Sequence, residues 1–197
     1  MKVYLVRHGE KEKGSFYNEK IRHQDQPLSR RGMLQAEGLT DYFRDLNIEE
    51  IRVSEYVRTR QTAGPLARSM GLNMTEDPRL NEIDSGIIES LTENEIKVRY
   101  PDFWRDYWAG DGDYRFPGGE TGEEVRCRQE SLLRELIEGN RDTVLITHEG
   151  YIRLFMCTIL GLPVYRRHVF GCDPCGISEV NYDIETKEWR IIRFNQV

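Results

Sequence analysis

The sequence predicts a single α/β domain over residues 1–197, built as a three-layer α/β/α sandwich around a mostly parallel central sheet. Three short runs, at residues 3–6, 51–54 and 143–147, have the length and β-branched content of buried strands. Segments with apolar residues at helical spacing separate these runs along the chain. Strands that alternate with helices are typical of a parallel sheet with helices on both faces. A chain of 197 residues is also long enough to bury a proper core.

The first half of the chain contains two predicted helices. Ser29 is a candidate N-cap for a helix over residues 30–46, because its hydroxyl can accept a free backbone N–H of the first turn. A second helix begins near Tyr56. Gly64 and Pro65 predict a kink in it, because proline lacks the N–H that a helix interior uses. The remaining elements of this half are a polar loop over residues 11–27 and an edge-like strand over residues 72–76.

The segment around residues 84–120 is the least regular part of the chain and is predicted to be an insertion between strands. A short helix is expected over residues 91–100. The aromatic stripe that follows it lies at helical spacing, and it is interpreted either as part of the core or as a lid over a substrate pocket. Its members are Phe103, Trp104, Tyr107 and Trp108.

The last third of the chain returns to regular patterns. Thr121 and Glu124 form a capping-box pattern that opens a helix. Residues 152–160 are apolar nearly all round, which predicts a buried helix. Alternating apolar and polar residues then predict two strands, around 177–184 and 189–194.

Composition excludes several classes of function. The net charge of −6 and the lack of a basic run argue against a nucleic-acid surface. No stretch approaches the ~20 apolar residues of a membrane-spanning helix. Arg7 and His8 interrupt the first apolar run after four residues, so it lacks the apolar core of a signal peptide. We therefore expect a cytoplasmic protein that binds neither a membrane nor nucleic acid.

The four cysteines do not predict a metal or redox centre. Cys172 and Cys175 form a C-x-x-C pattern, but no second such pair or neighbouring histidine pair completes a zinc site. The pattern also does not open a helix after a strand, as a redox pair would. Cys127 and Cys157 lie on helical patterns and are interpreted as small core residues.

Charged and imidazole side chains follow three of the predicted strands. Arg7 and His8 end the first strand, the second leads into Arg58, and the third ends at His148. In parallel sheets, ligands bind beyond the carboxyl ends of the strands. If these strands are adjacent, two histidines and two arginines converge on one pocket of the size of an anion. A lone R-H-G-E would be interpreted as a strand cap, but this convergence is not explained by capping.

Motifs across nearly the whole chain resemble those of the histidine phosphatase superfamily, the phosphoglycerate-mutase-like group, and occur in the family's order. The resemblance implies a phosphoglycerate-mutase-like fold. The motifs are R-H-G-E at 7–10, P-L-S-x-x-G-x-x-Q-A at 27–36, S-x-x-x-R-x-x-Q-T-A at 54–63, L-x-E with a following Gly at 80–86, P-G-G-E at 117–120 and T-H-x-G-x-I-R at 147–153.

The resemblance also implies roles for individual residues. His8 would be the nucleophile that takes up the phosphoryl group, and Glu82 would be the proton donor to the leaving oxygen. Two arginines and a protonated His148 could stabilise the phosphoryl charge without a metal or cofactor. At position 149 the family usually has Gly. Here the amide of Glu149 is expected to face the phosphate, with its carboxylate pointing away. The phosphate-binding residues are thus Arg7, Arg58, His148 and Glu149.

The chain departs from the family pattern just after the first histidine. The family usually has Thr and Asn where this chain has Lys11 and Gly14. In the family that Asn commonly contacts the phosphate. In this chain the contact is either lost or made by Asn18 from a lengthened loop. Lys11 either recognises a second anionic group or is a solvated loop residue. His23 and His168 are assigned no catalytic role.

The function expected from these observations is a metal-independent phosphomonoesterase that hydrolyses a small phosphorylated metabolite through a phosphohistidine. A phosphoglycerate mutase that uses the same phosphohistidine is the first alternative, and a non-catalytic binding module is the second. Only 65 residues separate Glu82 from His148 (148 − 82 − 1), which favours an open site that water can enter. The substrate itself and the oligomeric state do not follow from the sequence.

Overall fold

The computed structural model describes residues 1–197 and has a six-stranded sheet in the order β5-β4-β6-β1-β7-β8. A separate two-stranded ribbon, β2 with β3, lies in the segment that follows β1. The strands are β1 Lys2–Arg7, β2 Tyr17–Asn18, β3 His23–Gln24, β4 Glu50–Val53, β5 Met74–Glu76, β6 Thr143–Thr147, β7 Ile177–Asp183 and β8 Glu188–Gln196. The α-helices are α1 Arg30–Phe43, α2 Val57–Met70, α3 Glu93–Arg99, α4 Pro101–Ala109, α5 Gly122–Gly139 and α6 Glu149–Ile159.

The sheet is parallel over four neighbouring strands and antiparallel at one end. β1 pairs with β6 in parallel, with Arg7 opposite Thr147, and β4 lies on the other side of β6. β7 pairs antiparallel with β1, and β8 pairs antiparallel with β7. The carboxyl ends of β1, β4 and β6 therefore lie at one edge of the sheet, as the mostly parallel prediction required.

Helices cover both faces of the sheet, which confirms the predicted sandwich. One buried cluster joins alternate residues of β1, including Leu5, with Leu145 and with the apolar faces of α5 and α6. The other joins the intervening residues, including Val6, with Ile146 and with α1 and α2. Successive side chains of a strand point to opposite faces, so each strand contributes to both layers. None of the helices combines the length and apolar character needed to cross a membrane.

Most predicted elements are present, and the differences lie at their ends. Helix α1 has the expected cap, since Ser29 accepts the N–H of Gly32 at 3.1 Å, but it ends at Phe43. Helix α2 continues for more than a turn past Pro65. Helix α6 begins at Glu149, before the predicted apolar run, because its first turn lies at the site edge of the sheet and is polar.

The aromatic stripe on α4 packs against side chains from later parts of the chain. Tyr107 lies edge-on to His168 with ring centroids 5.2 Å apart, and it also contacts Phe116 at 5.3 Å. Trp108 contacts His168 as well, and Trp108 is 60% exposed. These contacts place the stripe on the 3₁₀-helix Val164–Val169. The start of the insertion behaves differently, since Glu89 contacts His23 and the N–H of Gln24.

The two cysteines of the C-x-x-C pattern are buried in different layers. Cys172 belongs to the cluster under α5 and α6, whereas Cys175 belongs to the cluster under α1 and α2. Both thiols are free. Burial raises the pKa of Cys172 to about 11 and that of Cys175 to about 12. Both side chains therefore pack in the core just before β7. Cys157 is buried as expected, but Cys127 on α5 is exposed, so its interpretation as a core residue was wrong.

The turn after β1 packs directly on the first turn of α1. A Cβ at Gly9 would lie 2.7 Å from the carbonyl oxygen of Gly32, and a Cβ at Gly32 would overlap the carbonyl group of Glu10. Ser29 strengthens this contact, because its N–H donates to the carbonyl of Glu10 at 2.9 Å and its hydroxyl donates to the Glu10 carboxylate. Two glycines are thus needed where the two backbones meet.

Replacing Gly32 with alanine should lower the free energy of unfolding by about 2–4 kcal/mol, because the backbone of Glu10 would have to move. Gly38→Ala, on the same helix, is the matched control: a Cβ there meets nothing within 4 Å. That variant should be neutral or more stable by up to ~1 kcal/mol, as expected for Gly→Ala in a helix. Urea unfolding of both variants measures the difference, and equal stability of the two would contradict the packing argument.

Candidate active site

The parallel pairing of β1 and β6 brings the two histidines together. The N–H of His8 donates to the carbonyl of Thr147 at 2.9 Å, which continues the strand ladder by one residue. The two imidazole rings lie 5.2 Å apart, centroid to centroid, at an interplanar angle of 65°. His8 is 7% exposed and His148 is fully buried. The ends of β1 and β6 thus converge as predicted and bring the two histidines together in a buried position.

A backbone carbonyl fixes the tautomer of His8. Nδ1 lies 2.7 Å from the carbonyl oxygen of Gly9, and because a carbonyl only accepts, Nδ1 carries the proton. Burial, reinforced by the nearby Arg58 guanidinium, lowers the pKa of His8 to about 3. Nε2 is therefore unprotonated and has the lone pair that a nucleophile needs. The N–H of Gly9 is held in turn by the hydroxyl of Thr62 at 3.0 Å.

His148 is neutral in the free site. Arg58 Nη2 lies 3.2 Å from Nδ1, and because a guanidinium only donates, Nδ1 accepts. Nε2 then carries the proton and donates to Ser54 Oγ at 2.8 Å. Full burial lowers the pKa of His148 well below its usual value, and Arg58 adds to the effect. The protonated His148 that we expected is thus not the form of the unliganded site, because a buried cation beside Arg58 would be doubly unfavourable.

A chain of hydroxyl groups continues from His148 into the protein. Ser54 Oγ lies 2.9 Å from Thr59 Oγ1, which donates to the carbonyl of Tyr56 at 2.7 Å. All of these groups are buried. The chain gives every hydroxyl both a donor and an acceptor, so it fixes the orientation of the His148 ring.

Arg58, at the start of α2, is held over the site from two sides. Its guanidinium stacks on Tyr56 at 4.2 Å from the ring centroid and lies 3.8 Å from the carboxylate of Asp25. Asp25 also accepts the N–H of Val57 at 2.8 Å. Arg58 is 5% exposed, and its Nε has no hydrogen-bond partner. A buried guanidinium with a free N–H is suited to receive an anion.

Arg7, at the end of β1, is already paired. Its Nη1 donates to the carbonyl of Cys172, and its Nη2 forms an ion pair with Glu149 at 2.9 Å. Glu149 is shared with Arg153, one turn further along α6. We expected the Glu149 carboxylate to point away from the phosphate-binding groups, but it lies against one of them. The Nε of Arg7 is buried and has no partner.

The carboxyl group of Glu82 lies on the first turn of α6. It accepts the N–H groups of Gly150 at 3.1 Å, Tyr151 at 2.9 Å and Ile83 at 3.0 Å. A helix N-terminus offers such free N–H groups and a favourable dipole for negative charge. A Cβ at Gly150 would lie only 2.7 Å from Glu82 Oε1, so a glycine is needed there. Glu82 is thereby placed two residues from His148, the N-cap of α6.

The loop that carries Glu82 is anchored from behind. Arg128 on α5 donates to the carbonyls of Arg79 at 2.6 Å and Glu82 at 3.2 Å. Its guanidinium also contacts Glu120, whose carboxylate accepts the N–H of Asp84 at 2.9 Å. Glu120 of the P-G-G-E motif thus stabilises the loop that carries Glu82 and does not contact the phosphate-binding arginines Arg7 and Arg58.

The residues after His8 that break the family pattern lie beside the site. Lys11 Nζ donates to Gln26 at 3.3 Å, and burial together with Arg58 lowers its pKa. Asn18 donates to Asp25 at 2.8 Å, so it acts on the partner of Arg58. Asn18 therefore does not supply the phosphate contact in this arrangement. His23 stacks on Tyr56 with ring centroids 6.2 Å apart.

Sequence reasoning assigned no role to several residues that orient the site. These are the hydroxyl groups behind His148 and His8 and the residues around Arg58. A signal was available, because four of them lie within the S-x-x-x-R-x-x-Q-T-A motif, two of them at its fixed places. The residues are Ser54, Tyr56, Thr59, Thr62 and Asp25.

The arrangement brings a neutral imidazole, two arginines and a carboxyl group to the same edge of the sheet. Such a set can receive a phosphoryl group, because the arginines stabilise its oxygens while the imidazole attacks phosphorus. The structure contains no group of three or more His, Cys, Asp or Glu side chains arranged to hold a metal ion.

Several known proteins resemble this chain along its whole length. A "Probable phosphoglycerate mutase GpmB" of Enterobacter sp. (strain 638) is 34% identical over 188 residues, covering 92% of this chain and 85% of the relative. The protein of the same name from Salmonella choleraesuis (strain SC-B67) is 35% identical, covering 96% and 87%.

Solved structures agree with the fold. A mycobacterial glucosyl-3-phosphoglycerate phosphatase complexed with VO3 superimposes with a TM-score of 0.83 at 26% identity, covering 100% of this chain and 99% of that one. A putative alpha-ribazole-5'-P phosphatase from Escherichia coli str. K-12 also superimposes with a TM-score of 0.83, covering 100% of this chain and 96% of that one. At 22% identity this likeness shows the fold alone. A family model matches residues 3–197. The chain belongs to the histidine phosphatase superfamily, branch 1.

Proposed function

We propose that this chain is a metal-independent phosphomonoesterase that hydrolyses a small phosphorylated metabolite through a phosphohistidine on His8. The observation that supports this most directly is the state of His8. Its Nδ1–H is held by the Gly9 carbonyl at 2.7 Å, and burial beside Arg58 keeps the ring unprotonated. The free Nε2 lone pair is the nucleophile, and Arg58 and Arg7 stabilise the charge on the phosphoryl oxygens.

The proposed reaction has two steps. In the first, His8 Nε2 attacks phosphorus, the bond to the ester oxygen breaks, and Glu82 gives its proton to that oxygen, releasing an alcohol. In the second, Glu82 as carboxylate takes a proton from water, whose oxygen attacks the phosphohistidine and releases inorganic phosphate. Glu82 ends protonated and His8 neutral, so the cycle closes. In this scheme the bound phosphoryl group, an anion, offsets the charge of Arg58, whose Nη2 turns from His148 Nδ1 to a phosphoryl oxygen. His148 then takes a proton on Nδ1 and donates it in a hydrogen bond to a second oxygen.

The alternative reaction is transfer of the phosphoryl group to a second hydroxyl of the same substrate, as in a phosphoglycerate mutase. The names of the curated relatives favour it. The two functions share the phosphohistidine and differ in its acceptor, which is water or substrate. They are distinguished by the product: free phosphate indicates hydrolysis, and interconversion of 2- and 3-phosphoglycerate indicates mutase activity.

The proposed function is tested with p-nitrophenyl phosphate at pH 5–8, with and without EDTA. We expect phosphate release that EDTA does not diminish. His8→Ala should lower kcat by about 10³-fold or more, because the nucleophile is lost. It should also abolish acid-labile ³²P labelling. His168→Ala, which alters a histidine that packs against the aromatic stripe, is the control and should retain activity. Full activity of His8→Ala would refute the assignment.

The ion pair between Arg7 and Glu149 predicts a change in phosphate affinity. Glu149 offsets the charge of Arg7 at 2.9 Å, so Glu149→Gln should tighten competitive inhibition by inorganic phosphate about three- to tenfold. The matched control is Glu123→Gln, which removes a carboxylate paired with Arg126 on α5 and should leave the inhibition constant unchanged. Weaker inhibition in Glu149→Gln would mean that Glu149 supports the phosphate site rather than opposing it.

The neutral state of His8 predicts a pH dependence of stability. Its pKa is about 3 in the folded protein against 6.5 for an ordinary histidine, so below pH 6.5 the unfolded chain binds a proton that the folded chain does not. The free energy of unfolding should therefore decrease as the pH is lowered from 6.5 to 3. His8 should contribute up to ~1.4 kcal/mol of this decrease per pH unit. In urea unfolding at pH 7, 6 and 5, His8→Gln should show a shallower fall than the wild type.

His23→Gln is the control of opposite sign. The hydrogen bond to Glu89 raises the pKa of His23, so the folded protein binds this proton more tightly than the unfolded chain. Removing His23 should therefore make the fall of stability toward low pH steeper. Identical slopes for the wild type and His8→Gln would show that the pKa of His8 is the same in the folded and the unfolded chain.

A further inference from the structure

A cavity lies next to the proposed phosphate-binding groups. Its volume is about 240 Å³, and it shares two residues with the site: Glu82, the proposed acid, and Tyr56, on which Arg58 stacks. The leaving group of a phosphate ester must lie next to the acid that protonates its oxygen. This cavity is therefore in the right place to hold it. The full lining is His23, Tyr56, Pro78, Asn81, Glu82, Asp84, Glu120 and Arg128.

His23 presents a free ring nitrogen in this cavity. Its Nδ1 lies 3.3 Å from the carboxylate of Glu89, and its ring stacks on Tyr56. The carboxylate oxygen recorded near Nε2 belongs to Asp84 and lies 3.9 Å away, which is too far for a hydrogen bond. The side chain is 23% exposed, so Nε2 is accessible. A fixed ring with one unpaired nitrogen is a directed hydrogen-bonding group.

The cavity as a whole is acidic. Glu82, Asp84 and Glu120 contribute three carboxyl groups to the lining, and Arg128 contributes the one permanent positive charge. That positive charge is engaged by Glu120 at 3.2 Å. Glu82 is protonated when the leaving group is bound, so with His23 neutral the lining carries a formal balance of one negative charge, left over from Asp84. A leaving group with its own carboxylate would meet like charge at short range, which opposes binding.

The carboxylates are also occupied by protein donors. Glu120 accepts the N–H of Asp84, Asp84 accepts the N–H of Gly86 at 2.6 Å, and Glu82 accepts three N–H groups. The polar side-chain atoms left without a hydrogen bond in the lining are His23 Nε2, the Tyr56 hydroxyl and Asp84 Oδ2. Groups of this kind bind hydroxyls, which donate and accept equally well.

We propose that this cavity is the leaving-group subsite, that it selects an uncharged hydroxylated leaving group, a sugar or polyol, over one that carries a carboxylate, and that His23 Nε2 hydrogen-bonds a hydroxyl of that group. The proposal rests on the phosphomonoesterase function above and adds the substrate class. His23 is a specificity-determining residue in this scheme, and it takes no part in phosphoryl transfer. The subsite disfavours phosphoglycerate as substrate, in contrast to the mutase alternative.

The test compares three substrates: ribose 5-phosphate as a sugar ester, 3-phosphoglycerate as a carboxylate ester, and p-nitrophenyl phosphate, which has no hydroxyl. The wild type should hydrolyse ribose 5-phosphate with a kcat/KM about tenfold or more above that for 3-phosphoglycerate. His23→Phe keeps the ring on Tyr56 and removes the hydrogen bond. It should raise KM for ribose 5-phosphate about tenfold and leave kcat/KM for p-nitrophenyl phosphate unchanged.

Two further variants separate hydrogen bonding from charge. His23→Gln restores a hydrogen-bonding group and should recover part of the loss with ribose 5-phosphate. Asp84→Asn keeps an oxygen that can accept the Gly86 N–H but removes a charge, and should raise kcat/KM for 3-phosphoglycerate about threefold or more.

The failure of this inference is distinguishable from the failure of the proposed function. His8-dependent hydrolysis of p-nitrophenyl phosphate, together with equal use of both natural esters, retains the phosphatase and overturns the subsite. Equal losses on all three substrates in His23→Phe also overturn it, because they indicate a general structural role. Absence of any phosphatase activity overturns both.

Discussion

The parallel register of β1 on β6 is the constraint on which the rest of the site depends. It places Arg7 opposite Thr147, so that the next residue of each strand is a histidine and the two rings lie 5.2 Å apart. The same register sends Leu5 and Leu145 to one core and Val6 and Ile146 to the other. A shift of one residue would turn all of these side chains to the wrong face. Packing on both faces of the sheet therefore holds the catalytic geometry in place.

The charged groups that face the two histidines are mainly positive. Two arginines face a space in which both histidines are neutral, and each arginine has a buried Nε–H with no partner. Each arginine has a carboxylate beside it, the buried Asp25 for Arg58 and the partly exposed Glu149 for Arg7. Burial of unsatisfied donors is unfavourable, and an anion with several oxygens would relieve it. The unpaired N–H groups are therefore suited to bind the oxygens of a phosphoryl group.

The sequence was sufficient to predict the sandwich and the convergence of His8, Arg58 and His148, because strand ends in a parallel sheet meet at one edge. It could not show the charge state of His148, which depends on Arg58 ninety positions away and on Ser54. Nor could it show that Glu149 pairs with Arg7, because that contact requires α6 to begin three residues before its apolar run. The position of Glu82 on the helix N-terminus was hidden for the same reason. Local patterns predict elements, whereas protonation and pairing are set by contacts between distant segments.

The contact between Glu82 and Gly150 has a consequence for redesign of the acid. The carboxyl group occupies the volume where a Cβ at position 150 would stand, 2.7 Å from Oε1. A shorter acid at position 82 would leave that volume vacant and withdraw the oxygen from the N–H groups of Gly150 and Tyr151. Conversely, any side chain at position 150 would push the acid off the helix. The two positions therefore form a single unit for directed evolution, and libraries that vary one of them alone would sample mainly broken sites.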